Sequence, residues 1–145
     1  MTTIFRRSLF GLAAVAALSA TPAFAEVQTY KATLSGASHV PPVTTKGAGA
    51  ITATYDTITR KLIWTATFAD LTGPATAAHF HGPAATGANA GVVIPQKDGL
   101  ASPMKGEATL TEAQASDFTA GRWYFNIHTD ANKGGEIRGQ MMKGM

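Results

Sequence analysis

Two histidines stand one residue apart in the short segment "AHFHGP". His79 and His81 flank Phe80, and Gly82-Pro83 follows them. On a β-strand, residues two positions apart face the same side, with Cα atoms about 6.6 Å apart. Two imidazoles placed in this way can reach one metal ion, at about 2.0 to 2.1 Å from each ligating nitrogen. The spacing predicts a pair of metal ligands where the strand ends, with Phe80 pointing into the core.

The other two histidines also lie next to turns. His128 ends the strand-like part of "WYFNIHTDAN" on the face opposite the apolar series, and His39 lies in the proline-stiffened "GASHVPPV". We expect His79, His81 and His128 to form a metal site, with His39 as a candidate fourth ligand. The alternative for each is an ordinary surface or hydrogen-bonded histidine, above all for His39.

Other polar and sulfur groups are weaker candidates. Asp130, Glu136 and Arg138 follow His128, and a carboxylate there could ligate an ion or fix the outer nitrogen of an imidazole. A turn-capping Asp130 and an exposed Glu136 and Arg138 are the expected arrangement. The methionines of "MMKGM" and Met104 could offer thioethers to Cu(I), although core packing or a frayed end is the simpler expectation.

The kind of ion is limited by the composition. The sequence has no cysteine, so ligands must come from histidine, carboxylate or methionine. Copper is favoured, with zinc as the alternative, because Cu(II) binds such ligands most tightly among the divalent ions. No Ser-His-Asp pattern and no nucleotide-binding loop is recognisable in the sequence, which gives nucleophilic catalysis no support.

The first 25 residues read as a secretory signal peptide. Arg6 and Arg7 precede an apolar run, and "TPAFA" offers a cleavage site after Ala25. The run from Leu9 to Leu18 is too short to cross a bilayer. We therefore expect a periplasmic or secreted protein, without a membrane anchor after cleavage, whose remaining domain is 26–145.

The charge balance of that domain is nearly neutral. Without Arg6 and Arg7, the 12 basic residues fall to 10 against 9 acidic ones. No basic cluster suggests a nucleic acid or an anionic lipid surface as a partner. A metal ion is the expected partner, and the sequence names no protein partner.

Short apolar segments bounded by turn residues predict an all-β domain. We expect a Greek-key β-sandwich of about eight strands. The candidate strands are Val27–Leu34, Gly47–Tyr55, Lys61–Phe68, Ala77–His81, Gly91–Ile94, Met104–Leu110, Trp123–His128 and Glu136–Met141. One short helix is predicted in "LTEAQASDFTAG", with Thr111 and Gln114 forming a capping box and Gly121 ending the helix.

Three longer segments resemble the CHRD domain, named for chordin. They are "SGASHVPPVTTKGAGAITATYD", "LTGPATAAHFHGPAATGANAGVVI" and "GRWYFNIHTDANKGGEIRGQM", and the similarity runs from about Lys31 to Met141. The resemblance implies an immunoglobulin-like or Greek-key β-sandwich and a site built from the three histidines 79, 81 and 128. This chain has His39 where family members often have an acidic residue, and Lys133 where they often have proline.

A looser similarity is to copper-zinc superoxide dismutase, in which a His-x-His strand end and a distant histidine gather copper. It covers "HFHGP" and lacks that family's disulfide and usual zinc loop. Three functions follow as hypotheses. The first is an exported copper-binding protein, the second a superoxide dismutase-like enzyme with Arg138 or a lysine drawing in the anion, and the third a metal-free binding or structural module.

Overall fold

The computed structural model describes residues 24–144 of the chain. The predicted signal peptide, residues 1–25, therefore lies almost entirely outside the described residues. The strands are β1 (Val27–Ser35), β2 (Ala48–Asp56), β3 (Lys61–Ala69), β4 (Ala75–His81), β5 (Val92–Pro95), β6 (Met104–Thr109), β7 (Tyr124–Thr129), β8 (Ile137–Gln140) and β9 (Met142–Lys143). The helix α1 (Glu112–Thr119) joins β6 to β7. Within the described residues, no helix is both long enough and apolar enough to cross a membrane.

The strands form one antiparallel sheet that almost closes on itself. Its order is β5-β4-β7-β8-β1-β2-β3-β6, with the short β9 pairing beside β1. The side chain of Gln96, just after β5, accepts a hydrogen bond from Trp64 of β3 and donates one to the carbonyl of Lys105 in β6. It thereby links the two ends of the sheet. The two end strands, β5 and β6, therefore face each other across a seam in the sheet. After α1 the chain returns so that β7 pairs with β4, a long-range connection of the Greek-key kind. The predicted all-β Greek-key sandwich with one short helix is confirmed.

The inward face of the sheet carries an aromatic core. Phe80 is completely buried, and its ring centroid lies 5.0 Å from that of Trp64 and 4.9 Å from that of Phe125. The fully buried Phe118 of α1 packs against Tyr30 and Trp123. Because Phe80 points inward, its neighbours in β4 must face outward. The core thus fixes the orientation of His79 and His81.

The helix begins and ends where the sequence predicts. Thr111 accepts a hydrogen bond from the backbone of Gln114, whose side chain accepts one from the backbone of Thr111, so the capping box is complete. Gly121 has a φ of +71°, the left-handed conformation expected just after a helix.

Two expectations about exposure are wrong. Glu136 and Arg138 were expected at the surface, yet their exposed fractions are 0 % and 2 %. Every residue of β7 is buried, on both faces of the strand. The cause is that the loops before β2, after β4 and after β7 fold over the outer face. The predicted last strand is also divided, since Met141 enters the core between β8 and β9.

Candidate metal centre

The pairing of β4 with β7 brings three histidines together. In this register His79 lies opposite Asn126, His81 lies opposite Tyr124, and His128 lies opposite Ala77. His79, His81 and His128 therefore occupy one patch on the outward face of two neighbouring strands. One ring nitrogen from each of the three lies within 4.8 Å of the others. The predicted gathering of these three residues is what the structure shows.

The histidine rings touch through their nitrogens. Nδ1 of His79 lies 3.1 Å from Nε2 of His128, and the centroids of these two rings are 4.9 Å apart. The ring of His81 stands edge-on to that of His79, with centroids 5.5 Å apart. His128 is buried, whereas His79 and His81 are half-buried. The cluster is open to solvent on the β4 side, which leaves a path for an ion.

Backbone carbonyls determine which nitrogen carries the proton in two of the rings. Nδ1 of His81 donates to the carbonyl oxygen of Ala90 at 2.9 Å, and Nδ1 of His128 donates to that of Lys133 at 2.8 Å. A carbonyl oxygen can only accept, so in the neutral rings the Nε2 atoms are left with free lone pairs. A ligating histidine typically has its second ring nitrogen held in this way.

Asn126 lies between the two Nε2 atoms. Its Oδ1 is 3.1 Å from Nε2 of His81 and 3.0 Å from Nε2 of His128, and its exposed fraction is 2 %. Sequence reasoning missed this residue, because an asparagine in a strand looks like an ordinary polar position. The available signal was its place between Tyr124 and His128 on the outward face of β7.

Burial and neighbouring rings keep the site poor in protons. Burial lowers the pKa of His79, and the nearby His128 and His81 lower it further. Burial also lowers the pKa of His81, although the oxygen atoms of Ala90 and Asn126, to which a protonated ring would donate, act in the opposite direction. Both rings therefore favour the neutral form, which is the form that binds a metal.

An aromatic and cationic stack supports the outer side of His81. The ring of Tyr124 lies parallel to that of His81, at an interplanar angle of 2° and a centroid distance of 4.9 Å. The guanidinium carbon of Arg138 lies 3.4 Å from the centroid of Tyr124 on the ring's face. Arg138 also donates to Oδ1 of Asn89 and to the carbonyl of Ala88, at 2.7 and 2.6 Å. This arrangement fastens the loop after β4 over the stack, and it leaves Arg138 almost completely buried.

His39 is not part of the cluster. Its Nδ1 lies 2.9 Å from the carbonyl oxygen of Pro41, and its Nε2 lies 3.0 Å from that of Gly134. Both nitrogens are thus engaged by the backbone, where they tie the loop before β2 to the loop after β7. The structure does not bring this candidate fourth ligand together with the other three.

The two carboxylates near His128 lie apart from its ring. Glu136 accepts hydrogen bonds from the hydroxyls of Thr45, Thr72 and Thr129, at 2.6 to 2.7 Å. Those bonds hold its pKa near 2, against the effect of burial. The outer nitrogen of His128 is held by a backbone carbonyl and not by a carboxylate. Asp130 is exposed in the turn after β7.

A comparison with protein-family models identifies the family of the chain. The family model for the CHRD domain matches residues 30–141, which is more than three quarters of the chain. The chain belongs to the CHRD domain family. The three clustered histidines and Asn126 all lie inside the matched part of this CHRD domain. No curated protein and no solved structure matches the chain. The similarity to superoxide dismutase stays a prediction.

Proposed function

We propose that this CHRD domain protein is exported and binds a divalent metal ion, copper in preference to zinc, through His79, His81 and His128. The observation that carries the proposal is the convergence of three imidazole nitrogens within 4.8 Å on two neighbouring strands. Three histidines of this kind are a common core of zinc and copper sites in proteins.

The arrangement of protons supports a cation at this place. His81 and His128 each direct Nδ1–H at a carbonyl oxygen, so both Nε2 atoms point lone pairs into the cluster. His79 adds a third ring whose nitrogen lies 3.1 Å from one of them. Lone pairs that meet at such distances repel each other unless a proton or a metal ion lies among them, and a metal ion would satisfy a nitrogen of all three rings at once. The lowered pKa of His79 keeps its ring in the neutral form that can ligate such an ion.

The choice of ion follows from the donors. The chain has no cysteine, and Met104 and Met141 are packed in the hydrophobic core. Imidazole binds Cu(II) more tightly than Zn(II) in the divalent series, so copper is the preferred ion. Export is supported by the signal-like residues 1–25, and an exported protein meets copper without competition from cytosolic thiols.

The test is a calorimetric titration of the purified protein with Cu(II) and with Zn(II). We expect one ion per chain, and a loss of affinity of more than about a hundredfold when His79 or His128 is replaced by alanine. His39→Ala is the matched control, because its ring belongs to the same outer surface but not to the cluster. The proposal fails if the His128→Ala protein binds either ion as tightly as the unmodified protein and the control do.

A further inference from the structure

We propose that Oδ1 of Asn126 is the fourth donor of this metal centre. The site would then consist of three imidazole nitrogens and one amide oxygen, a set that selects divalent ions over Cu(I). This inference rests on the proposed function and adds a ligand and an ion preference to it.

The first argument is the position of the amide. Asn126 is directly opposite His79 in the β4–β7 register and two residues before His128 on the same face of β7. Its Oδ1 lies 3.1 Å from Nε2 of His81 and 3.0 Å from Nε2 of His128. The amide thus sits inside the histidine cluster, and it is almost completely buried there.

The second argument is the spacing of the donors. Nitrogen and oxygen ligands at 2.0 to 2.2 Å from one ion are about 2.9 Å apart when they subtend a right angle, and about 3.3 Å apart in a tetrahedron. Three distances in the cluster fall in this range. They are 3.1 Å between His79 and His128, 3.1 Å between His81 and Asn126, and 3.0 Å between His128 and Asn126.

The third argument is the orientation of the amide group. If Nδ2 faced the rings, it would donate to both Nε2 atoms, and the cluster would be satisfied without an ion. The structure has the opposite orientation. Oδ1 faces the rings, while Nδ2 is on the side of Gly135. Because Oδ1 and both Nε2 atoms present only lone pairs, a cation between them is the arrangement that removes the repulsion.

The preference among ions follows from the oxygen donor. Amide oxygen is a hard ligand that suits divalent ions, whereas Cu(I) favours soft sulfur ligands. Removing the oxygen should therefore weaken the binding of Zn(II) and Cu(II) and change that of Cu(I) little.

The experiment compares Asn126→Asp and Asn126→Leu with the unmodified protein. Affinities for Zn(II), Cu(II) and Cu(I) are measured by competition with chromophoric chelators. An oxygen ligand predicts tighter Zn(II) binding in Asn126→Asp, by about tenfold, since the ligand gains a negative charge. It predicts Zn(II) and Cu(II) binding that is weaker by about tenfold or more in Asn126→Leu, with Cu(I) affinity changed by less than about threefold.

Ala131→Asp is the matched control for added charge. Ala131 is exposed in the turn after β7, so this variant adds a carboxylate near the cluster but not at a donor position. We expect it to change Zn(II) affinity by less than about threefold. Thermal unfolding of each metal-free variant establishes that it is folded, and the comparison of Asn126→Asp with Ala131→Asp decides the matter if Asn126→Leu does not fold.

The contrary results are distinct. Weaker Zn(II) binding in a folded Asn126→Asp protein would overturn the inference, because it would mean that the amide serves the rings as an N–H donor. Equal losses of Zn(II) and Cu(I) in Asn126→Leu would also overturn it, since the amide would then only position the histidines. An unmodified protein that binds none of these ions would refute the proposed function itself.

Discussion

Nδ1 of His79 and Nε2 of His128 lie 3.1 Å apart, although the two residues are 49 positions apart in the sequence. The contact exists because β4 and β7, which are not consecutive, are neighbours in the Greek-key sheet. Burial and the adjacent rings lower the pKa of His79, so its ring favours the neutral form that can bind a metal ion. The relationship is the structural basis for expecting a metal ion at this position.

Metal binding should stabilise the folded protein. An ion that binds only the folded state at about 100 times its Kd adds about 2.7 kcal/mol to the free energy of unfolding. Thermal unfolding with and without Zn(II) should therefore show a higher Tm in its presence, reversed by a chelator. His128→Ala should show no such shift, and an equal shift in that variant would place the ion elsewhere.

The stack on His81 should contribute to metal affinity. Tyr124→Leu removes the ring that lies parallel to His81 and beneath Arg138, so His81 loses the surface that holds its orientation. We expect a loss of Cu(II) affinity of about tenfold or more. Tyr124→Phe retains the stacked ring and should remain much closer to the unmodified protein. If both variants lose affinity equally, the hydroxyl that hydrogen-bonds to Ala90 is the important group instead.

Glu136 should make stability depend on pH in the acid range. Its pKa is about 2 in the folded state, against 4.5 for an unperturbed glutamate, because three threonine hydroxyls and a backbone N–H donate to the carboxylate. The unfolded state therefore binds the proton first as the pH falls. The stabilisation is complete above pH 4.5 and is lost as the pH falls towards 2, by roughly 2 to 3 kcal/mol in total.

Urea unfolding at several pH values measures this effect. Glu136→Gln serves as the comparison, because it occupies the same volume but does not titrate. We expect the free energy of unfolding of Glu136→Gln to be lower than that of the unmodified protein by about 1 to 3 kcal/mol at pH 7. At pH 3 the two free energies should be closer together. A difference that stays constant between pH 7 and pH 3 would contradict the assignment.

A tight contact in the sheet gives a prediction on folding stability. A Cβ atom at Gly106 of β6 would overlap the buried indole of Trp64, whose N–H bonds to Gln96 across the seam of the sheet. We expect Gly106→Ala to lower the free energy of unfolding by about 1 to 3 kcal/mol. Gly73→Ala, where a Cβ atom meets nothing within 4 Å, should change it by less than about 0.5 kcal/mol. Equal changes in the free energy of unfolding of the two variants would mean that the indole of Trp64 can move aside.

The sequence was sufficient for the local features. Alternation of apolar and polar residues placed Phe80 inward and the two flanking histidines outward, and the same rule placed His128 on the outer face of β7. The capping box of α1 was likewise readable, because it depends on residues only three positions apart.

The features that depend on long-range pairing were not readable. The place of Asn126 among the histidines follows from the β4–β7 register, which a single sequence does not show. The burial of Glu136 and Arg138 depends on loops that fold over the sheet, and these have no periodicity. His39 was a candidate fourth ligand from its residue type and its place beside a turn, but its loop directs both nitrogens at backbone carbonyls.

The central claim is that three histidines hold one metal ion, and a copper-loading experiment tests it most directly. The protein is incubated with Cu(II), freed of unbound ion by gel filtration, and examined by elemental analysis and electron paramagnetic resonance. We predict one copper per chain, with nitrogen couplings in the spectrum, and no retained copper when His79, His81 and His128 are all replaced by alanine. An unmodified protein that retains no copper, or a triple variant that retains as much with the same spectrum, would contradict the account.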